Sequence, residues 1–191
     1  MLRINQSFLE FTEKLYQAQE RNEDLILKEY EAGETILVQN DQALKVFLIK
    51  EGITKCYVSE ENGKQYILEF LGQGQILGEI ECIKDLPCLC SVEAMNNVSV
   101  YAFSIPFFRD LLVNSIELNG LLLDIFAERL FNTSNKSSFQ QLYNLEHSVR
   151  RLLRLQSTQN MNLSKDNLAA YLGVSVRSLN RSLKKIEQSA L

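Results

Sequence analysis

A single histidine, His147, stands among the 191 residues. That argues against a β-barrel enzyme gripping a metal with several imidazoles. No nucleophile–base set and no Gly-rich phosphate loop opening a helix takes its place. Neither an enzymatic activity nor a cofactor is expected. No apolar run reaches the roughly 20 residues needed to cross a bilayer. The N-terminus, MLRINQSFLEFTEKLYQAQERNEDL, lacks the continuous apolar centre of a secretion signal. A cytoplasmic protein without membrane contact is therefore expected. Cysteine is sparse: Cys56, Cys82, Cys88 and Cys90. In a reducing compartment they read as thiols, mostly small core residues. The spacing C-x5-C-x-C matches no familiar metal-ligand pattern, and a redox role requires a lowered thiol pKa. Between Lys84 and Met95 there is no arginine and no lysine.

Charge is present but unevenly spread. From Arg150 to Leu191 eight bases face two acids, a net +6. The remaining twelve bases and twenty-two acids leave −10 on the rest of the chain. A basic end on an acidic body points to a segregated contact with a polyanion. The alternative is a solvated helix face.

Residues 7–20 carry apolar side chains at helical spacing, Phe8, Leu9, Phe11, Leu15 and Tyr16. From Leu27 to Ser104 the pattern becomes short apolar runs separated by turn signals. Asn62-Gly63 between two such runs marks a hairpin, because both residues tolerate positive φ. Asn96-Asn97 marks a second, weaker one. Many short strands closed by glycine turns predict a small antiparallel barrel or jelly roll. Pro106 suits the first turn of a short helix, PFFRDLLVNS. A long helix over 115–138 follows, about 36 Å at 1.5 Å per residue, with Leu118, Leu121, Leu122, Ile125, Phe126 and Leu130 on its apolar stripe. That is long for packing on its own barrel alone. A homodimer through Leu118, Leu121, Leu122 and Ile125 is expected, the alternative being a core helix of one domain. Asn132–Ser138, NTSNKSS, is a candidate hinge. Helical periodicity resumes through Leu142, Leu145, Val149, Leu152 and Leu153.

The most specific segment is Leu163–Glu187, LSKDNLAAYLGVSVRSLNRSLKKIE. Ser164 can cap a first helix with Leu168, Ala169 and Leu172 facing inward. Gly173 supplies the left-handed turn. Ser175 can cap a second helix whose inner side is Leu179, Leu183 and Ile186. This is the spacing of a helix-turn-helix. The outer face of the second helix carries Val176, Arg177, Ser178, Asn180, Arg181 and Lys184. Arginine can read guanine O6 and N7, and valine a thymine methyl. Ser178, Lys184 and Lys185 suit phosphate contacts. A plain helical hairpin serving as a protein-interaction module, in a ligand- or partner-sensing protein without DNA binding, is the competing reading.

The order of these parts resembles the Crp/Fnr family of bacterial transcription regulators over nearly the whole chain. AGETILVQND and VFLIKEGITKCYV look like that family's opening barrel strands. ILGEIECI looks like its phosphate-binding cassette, and GVSVRSLNRSLKKIE like its recognition helix, with Val176, Arg177 and Arg181 at base-reading positions. The resemblance implies an α+β chain. Residues 1–113 would form a cyclic-nucleotide-binding-like antiparallel β-jelly-roll sensor. Residues 114–138 would be the dimerisation helix and hinge, and 139–191 an all-α helix-turn-helix domain of winged-helix type. It also implies a homodimer on a near-palindromic double-stranded operator, with half-sites about 34 Å apart. RNA polymerase would be a further partner, and a small molecule of unknown identity the effector.

The chain departs from this pattern in two ways. Cyclic-nucleotide binders of the family carry Arg followed by Ser or Thr before the strand that matches Val92-Glu93-Ala94; here Cys88 and Leu89 stand there. Glu79, the ribose-binding position, is kept, and Thr133 and Ser134 fall near the base-contacting end of the long helix. The resemblance thus gives an effector pocket of Gly78, Glu79, Cys88, Leu89, Cys90, Thr133 and Ser134 without the usual phosphate base. Such a pocket is expected to be empty, self-filled or open to a neutral or thiol-reactive effector, with Lys55 or Lys64 as the fallback base. The second departure is the absence of a β-hairpin wing after IEQSAL. The cysteine cluster of the family's iron–sulfur branch has no counterpart before Cys56.

Overall fold

The computed structural model describes residues 2–19 and 23–188. Residues 1, 20–22 and 189–191 lie outside the description, including the chain end on which the expectation of an absent wing falls.

The chain opens with β1 (Leu2–Arg3) and α1 (Gln6–Ala18). Asn5 caps α1 by accepting from the Phe8 amide at 2.9 Å. The strands β2 (Leu25–Tyr30), β3 (Thr35–Leu37), β4 (Lys45–Glu51), β5 (Thr54–Ser59), β6 (Gln65–Leu71) and β7 (Ile76–Leu77) follow. A one-and-a-half-turn helix, α2 (Glu79–Lys84), separates them from β8 (Ser91–Ala94) and β9 (Val98–Ser104). The strands do not close into a barrel. They form two sheets, ordered β1-β6-β5-β8-β3 and β2-β9-β4-β7. Every pairing is antiparallel except β1 on β6.

Ile36, Leu37, Cys56, Leu71 and Val92 of one sheet meet Phe47, Ile49, Val100 and Ala102 of the other in a shared core. The outer face of the four-stranded sheet is also buried. Val46, Leu48, Tyr101 and Phe103 pack there against α1, the helix α3 (Ile105–Asn114) and the long helix α4 (Ile116–Leu142). A strand covered on both faces needs a continuous apolar run rather than alternation, which is what Val46-Phe47-Leu48-Ile49 supplies.

The expected Asn62-Gly63 hairpin joins β5 to β6 through residues 60–64, with Asn62 Oδ1 accepting from the Lys64 amide at 3.0 Å. Asn96-Asn97 is a turn of another kind. It carries the chain from β8 in one sheet to β9 in the other, so no hairpin forms there. Between Cys56 and Tyr57 the β5–β6 register shifts, from Cys56↔Glu69 to Tyr57↔Ile67, leaving Leu68 as the extra residue of a β-bulge. Leu68 packs toward the inter-sheet core, while Ile67 and Phe70 both join an outer cluster.

That outer cluster holds the C-terminal helices: α5 (Leu145–Thr158), α6 (Lys165–Leu172) and α7 (Val176–Gln188). Val149, Leu152, Leu168, Ala169 and Leu179 pack with Ile67 and Phe70 of β6. The layers therefore run α1/α3/α4, four-stranded sheet, five-stranded sheet, α5–α7. The polar run Asn132–Ser138 does not act as a break. α4 continues through it to Leu142, because Lys136 in this stretch is held by β6 of the five-stranded sheet, as described below.

Two residue sets on α4 must be separated. Leu118, Leu122 and Ile125 are buried in the protomer's own core, with Leu121 packed against it. Leu118, Leu122 and Ile125 are not available to a partner, which corrects their expected place at a dimer contact, whereas Leu121 is only partly buried. The opposite side exposes Ile116 (91%), Leu123 (68%) and Leu130 (72%), with Gly120, Ala127 and Ser134 exposed between and after them. The spacing 116-120-123-127-130-134 alternates four and three, the repeat of a coiled-coil seam.

Candidate functional site

Two surfaces carry chemistry. The first is the helix-turn-helix. Ser164 Oγ accepts from the Asn167 amide at 3.1 Å and caps α6. Gly173 ends it at φ +69°, in the left-handed region. Ser175 Oγ accepts from the Ser178 amide at 3.2 Å and opens α7. Leu179 and Ser182 are buried, so the far side of α7 faces water. Arg177, Arg181 and Lys184 are all exposed, at i, i+4 and i+7, one stripe along the helix. Asn180 is half-buried at its edge. Ser178 Oγ is bonded to Ser175 Oγ at 3.1 Å. Val176 is partly buried against the core shared with β6.

The second is a cavity of about 470 Å³ between the five-stranded sheet, α2 and α4. Gly78 forms its bend at φ +81°; a Cβ there would lie 3.0 Å from the Lys45 carbonyl oxygen. Gly78, Glu79, Leu89, Cys90 and Thr133 line it as expected, whereas Cys88 and Ser134 do not. Cys88 is buried and turned away, its backbone tied to Asp41 and Asn40 at 2.8 Å each. Burial pushes its thiol up to about 11, the opposite of what a reactive thiolate needs. Ser134 faces out on the α4 seam.

The cavity contains bases, though none at the Cys88–Leu89 position where the resemblance places the usual phosphate base. They come from α4, not from Lys55, which pairs with Glu93 at 2.8 Å, and not from Lys64, which does not line the cavity. Arg129 Nη1 donates to the Glu79 carboxylate, and Nη2 to the Ile76 carbonyl at 2.7 Å. Glu69 lies 3.9 Å from Arg129 Nε. Glu79 is 1% exposed. Burial raises its carboxyl above the ordinary range, and Arg129 opposes that rise. For Arg129, burial works against its charge, but Glu79 and Glu69 more than offset it and keep the guanidinium cationic. Further along α4, Lys136 Nζ donates to the carbonyls of Ile67 and Leu68 at 3.0 and 3.1 Å. These belong to the bulge, where disrupted pairing frees backbone acceptors. The same ammonium lies over the rings of Tyr171 (3.8 Å) and Tyr66 (4.5 Å), and burial pulls it down to about 8.

This geometry has known counterparts. The family model described as the cyclic nucleotide-binding domain matches residues 27–115. Among curated proteins, the chain is similar to the cAMP-dependent protein kinase type II regulatory subunit of Drosophila melanogaster, at 29% identity over 107 residues, 56% of this chain and 28% of that protein. A regulatory subunit from Candida albicans is 33% identical over 89 residues, 47% of this chain and 18% of that protein. The chain thus spans less than a third of the length of these two relatives. The cAMP-activated global transcriptional regulator CRP of Salmonella typhimurium is 24% identical over 177 residues, covering 86% of this chain and 84% of that protein. In structure, the c-di-GMP responsive global regulator CLP of Xanthomonas campestris superposes with a TM-score of 0.83 at 18% identity, over 95% of this chain and 93% of that one. A transcriptional regulator of the Crp/Fnr family from Eubacterium rectale gives 0.75 at 16%, over 94% and 83%. The segment similar to the cyclic nucleotide-binding domain is therefore set in a fold like that of these regulators. No helix among the described residues is long and apolar enough to cross a membrane.

Proposed function

We propose that this chain is a sequence-specific DNA-binding transcription regulator of the Crp/Fnr type, governed through its cyclic nucleotide-binding domain. The observation that carries the reading is the exposed stripe Arg177, Arg181, Lys184 on a second helix whose caps, turn glycine and buried side all fit a helix-turn-helix. Arg177, Asn180 and Arg181 read base edges. Lys184 and Lys185 hold phosphates, and Val176 and Ser178 sit at the entry of α7. Two copies associate through the exposed seam Ile116–Leu123–Leu130 of α4. That places two recognition helices on successive turns of a near-palindromic operator.

Control does not run through the usual phosphate contact of cyclic AMP. Cys88 and Leu89 provide no cation, and Arg129 is already held by Glu79 and the Ile76 carbonyl. A cyclic nucleotide drawing Arg129 onto its phosphate would strand a buried Glu79 carboxylate, and an unpaired buried charge is costly. The Arg129–Glu79 pair instead occupies the cavity from within, leaving an apolar remainder beside Cys56, Cys90 and Leu89 for a neutral effector.

Selection of bound DNA from a random pool with the full chain tests the reading. A two-fold symmetric site with half-sites one helical turn apart is expected. Absence of any enriched sequence, with the protein folded and dimeric, would favour a sensing protein that does not bind DNA.

A further inference from the structure

A second cavity, of about 370 Å³, lies between the sensor sheet and the C-terminal helices, within the roughly 300–1,000 Å³ typical of small-molecule sites. It adjoins the sensor cavity, sharing the wall made by Leu68, Glu69, Thr133, Lys136 and Gln140. Its edge is closed by Gln159, whose amide accepts from the Leu2 N–H at 2.9 Å and donates to the Leu2 carbonyl at 3.0 Å. Strand β1 is thereby tied to the end of α5.

The charges around this space do not balance. Arg3, Lys136 and Arg151 line it, and Glu69 is its one carboxylate. Glu69 is already bonded to Arg3 at 2.8 Å and lies near Arg129. Arg3 Nη1 is nevertheless buried without a hydrogen-bond partner, and burial lowers the pKa of this guanidinium. Lys136 is bonded to backbone carbonyls and lies over rings, with Glu69 a charged neighbour that is not within salt-bridge distance. Arg151 stacks on the Phe139 ring at 4.1 Å. Among the described residues no carboxylate pairs with Lys136 or Arg151. Two positive charges are thus left over around a partly enclosed space, where charge is expensive to leave uncompensated. Guanidinium groups fit phosphate oxygens in pairs. The rest of the wall is Tyr171, Phe139, Leu152 and Leu155, suited to a flat apolar body.

We propose that this interdomain cavity binds a small organic phosphate carrying a planar ring, a nucleoside monophosphate in class, with Arg3, Lys136 and Arg151 around a dianionic phosphate and the ring against Phe139 and Tyr171. The surplus of two charges selects a phosphate monoester over a cyclic phosphodiester, which carries a single negative charge. An occupant fastens β1 and β6 to α5 and α6, and so fixes how the helix-turn-helix sits on the sensor sheet. The binding claim stands on the cavity and not on the DNA-binding reading. A failed titration with operator binding intact, or the reverse, separates the two.

Calorimetric titration of the full chain is the test. Adenosine 5′-monophosphate should saturate at one per chain, with adenosine and cyclic AMP each at least tenfold weaker. Arg151→Gln, at an exposed position, should weaken the monophosphate at least tenfold without affecting the fold, and Arg3→Gln should do the same. Ile80→Trp, which obstructs only the sensor cavity, should leave the affinity as it was. The proposal is overturned by adenosine binding as tightly as its monophosphate, or by no saturable heat at millimolar monophosphate. It is equally overturned if Ile80→Trp abolishes binding while Arg151→Gln leaves it intact, which would place the ligand in the sensor cavity.

Discussion

Arg129 and Glu79, fifty positions apart in the chain, form a buried ion pair that joins the long helix α4 to the start of α2. Removing Arg129 leaves the Glu79 carboxylate unpaired in a dry setting, a loss of about 3–5 kcal/mol; removing Glu79 leaves Arg129 the Ile76 carbonyl and the more distant Glu69. Arg129→Gln and Glu79→Gln should each lower the urea midpoint. The double variant should be less unstable than the sum of the two, by at least about 1 kcal/mol. Strict additivity would mean the pair is not coupled.

Cyclic nucleotides should bind poorly. The loss of one partner of a buried charged contact is worth about 2–5 kcal/mol, which moves a micromolar ligand to about 30 μM or weaker. Calorimetry with cyclic AMP and cyclic GMP should show no saturation below that concentration. Tight binding would require Arg129 to leave Glu79, and a crystal of the complex would reveal it.

The two stripes of α4 predict opposite behaviour from neighbouring residues. Leu123→Glu should give a folded monomer by light scattering and abolish operator binding. Leu122→Glu, one position along, buries a carboxylate in the core against α1 and α3 and should depress the melting temperature of the protomer itself. A wild type that is monomeric at micromolar concentration in the presence of DNA would refute the seam.

On DNA, Arg181→Ala should cost roughly 1–3 kcal/mol at one operator position and relax its preference there. Lys184→Ala should weaken all sequences alike and lower the salt slope by about one. Equal losses on specific and random DNA for both would mean that the reading face lies elsewhere on α7.

Lys136 gives a pH signature. Its ammonium deprotonates at about 8 in the folded chain and near 10.4 when unfolded. Between those values the unfolded chain holds more protons, so stability from this group rises with pH; below about pH 8 its burial is a constant penalty. Measured against Lys136→Met, the wild type should gain roughly 2 kcal/mol between pH 7 and pH 10. A pH-independent difference would mean Lys136 titrates normally.

How much of this was legible along the chain depended on the range of the contacts involved. The caps at Ser164 and Ser175 and the turn at Gly173 are local chemistry, and each lies where spacing puts it. The doubly covered strand β4 announces itself as an unbroken apolar run. Arg129 and Lys136 are hard to read from the chain because they reach the cavity from α4, far in sequence from the stretch Lys84–Met95 that holds Cys88 and Leu89. Their signal was present: the inward stripe Leu118, Leu122, Ile125 continues at helical spacing to Arg129 and Lys136. Asn132–Ser138 is rich in weak helix formers, and local propensity alone suggests a break; the Lys136 anchor on the β6 bulge overrides it. α4 is apolar on two sides, and periodicity cannot tell which side meets the chain's own sheet. Asn96-Asn97 shows the same limit in a turn, since two asparagines specify a reversal but not whether it stays in one sheet.

The length of α4 turns angle into distance. From Leu118, fixed in the core, to Leu142 the helix rises about 36 Å. A tilt of only about 5° about that fulcrum moves its far end by about 3 Å, close to the 3.4 Å rise of one base pair. Arg129 and Lys136 hold the shaft at two points between fulcrum and tip. The same tilt would move Arg129 by about 1.4 Å and Lys136 by about 2.4 Å, enough to break both grips, so the position of Asn144, where α5 begins, depends on whether those two contacts hold.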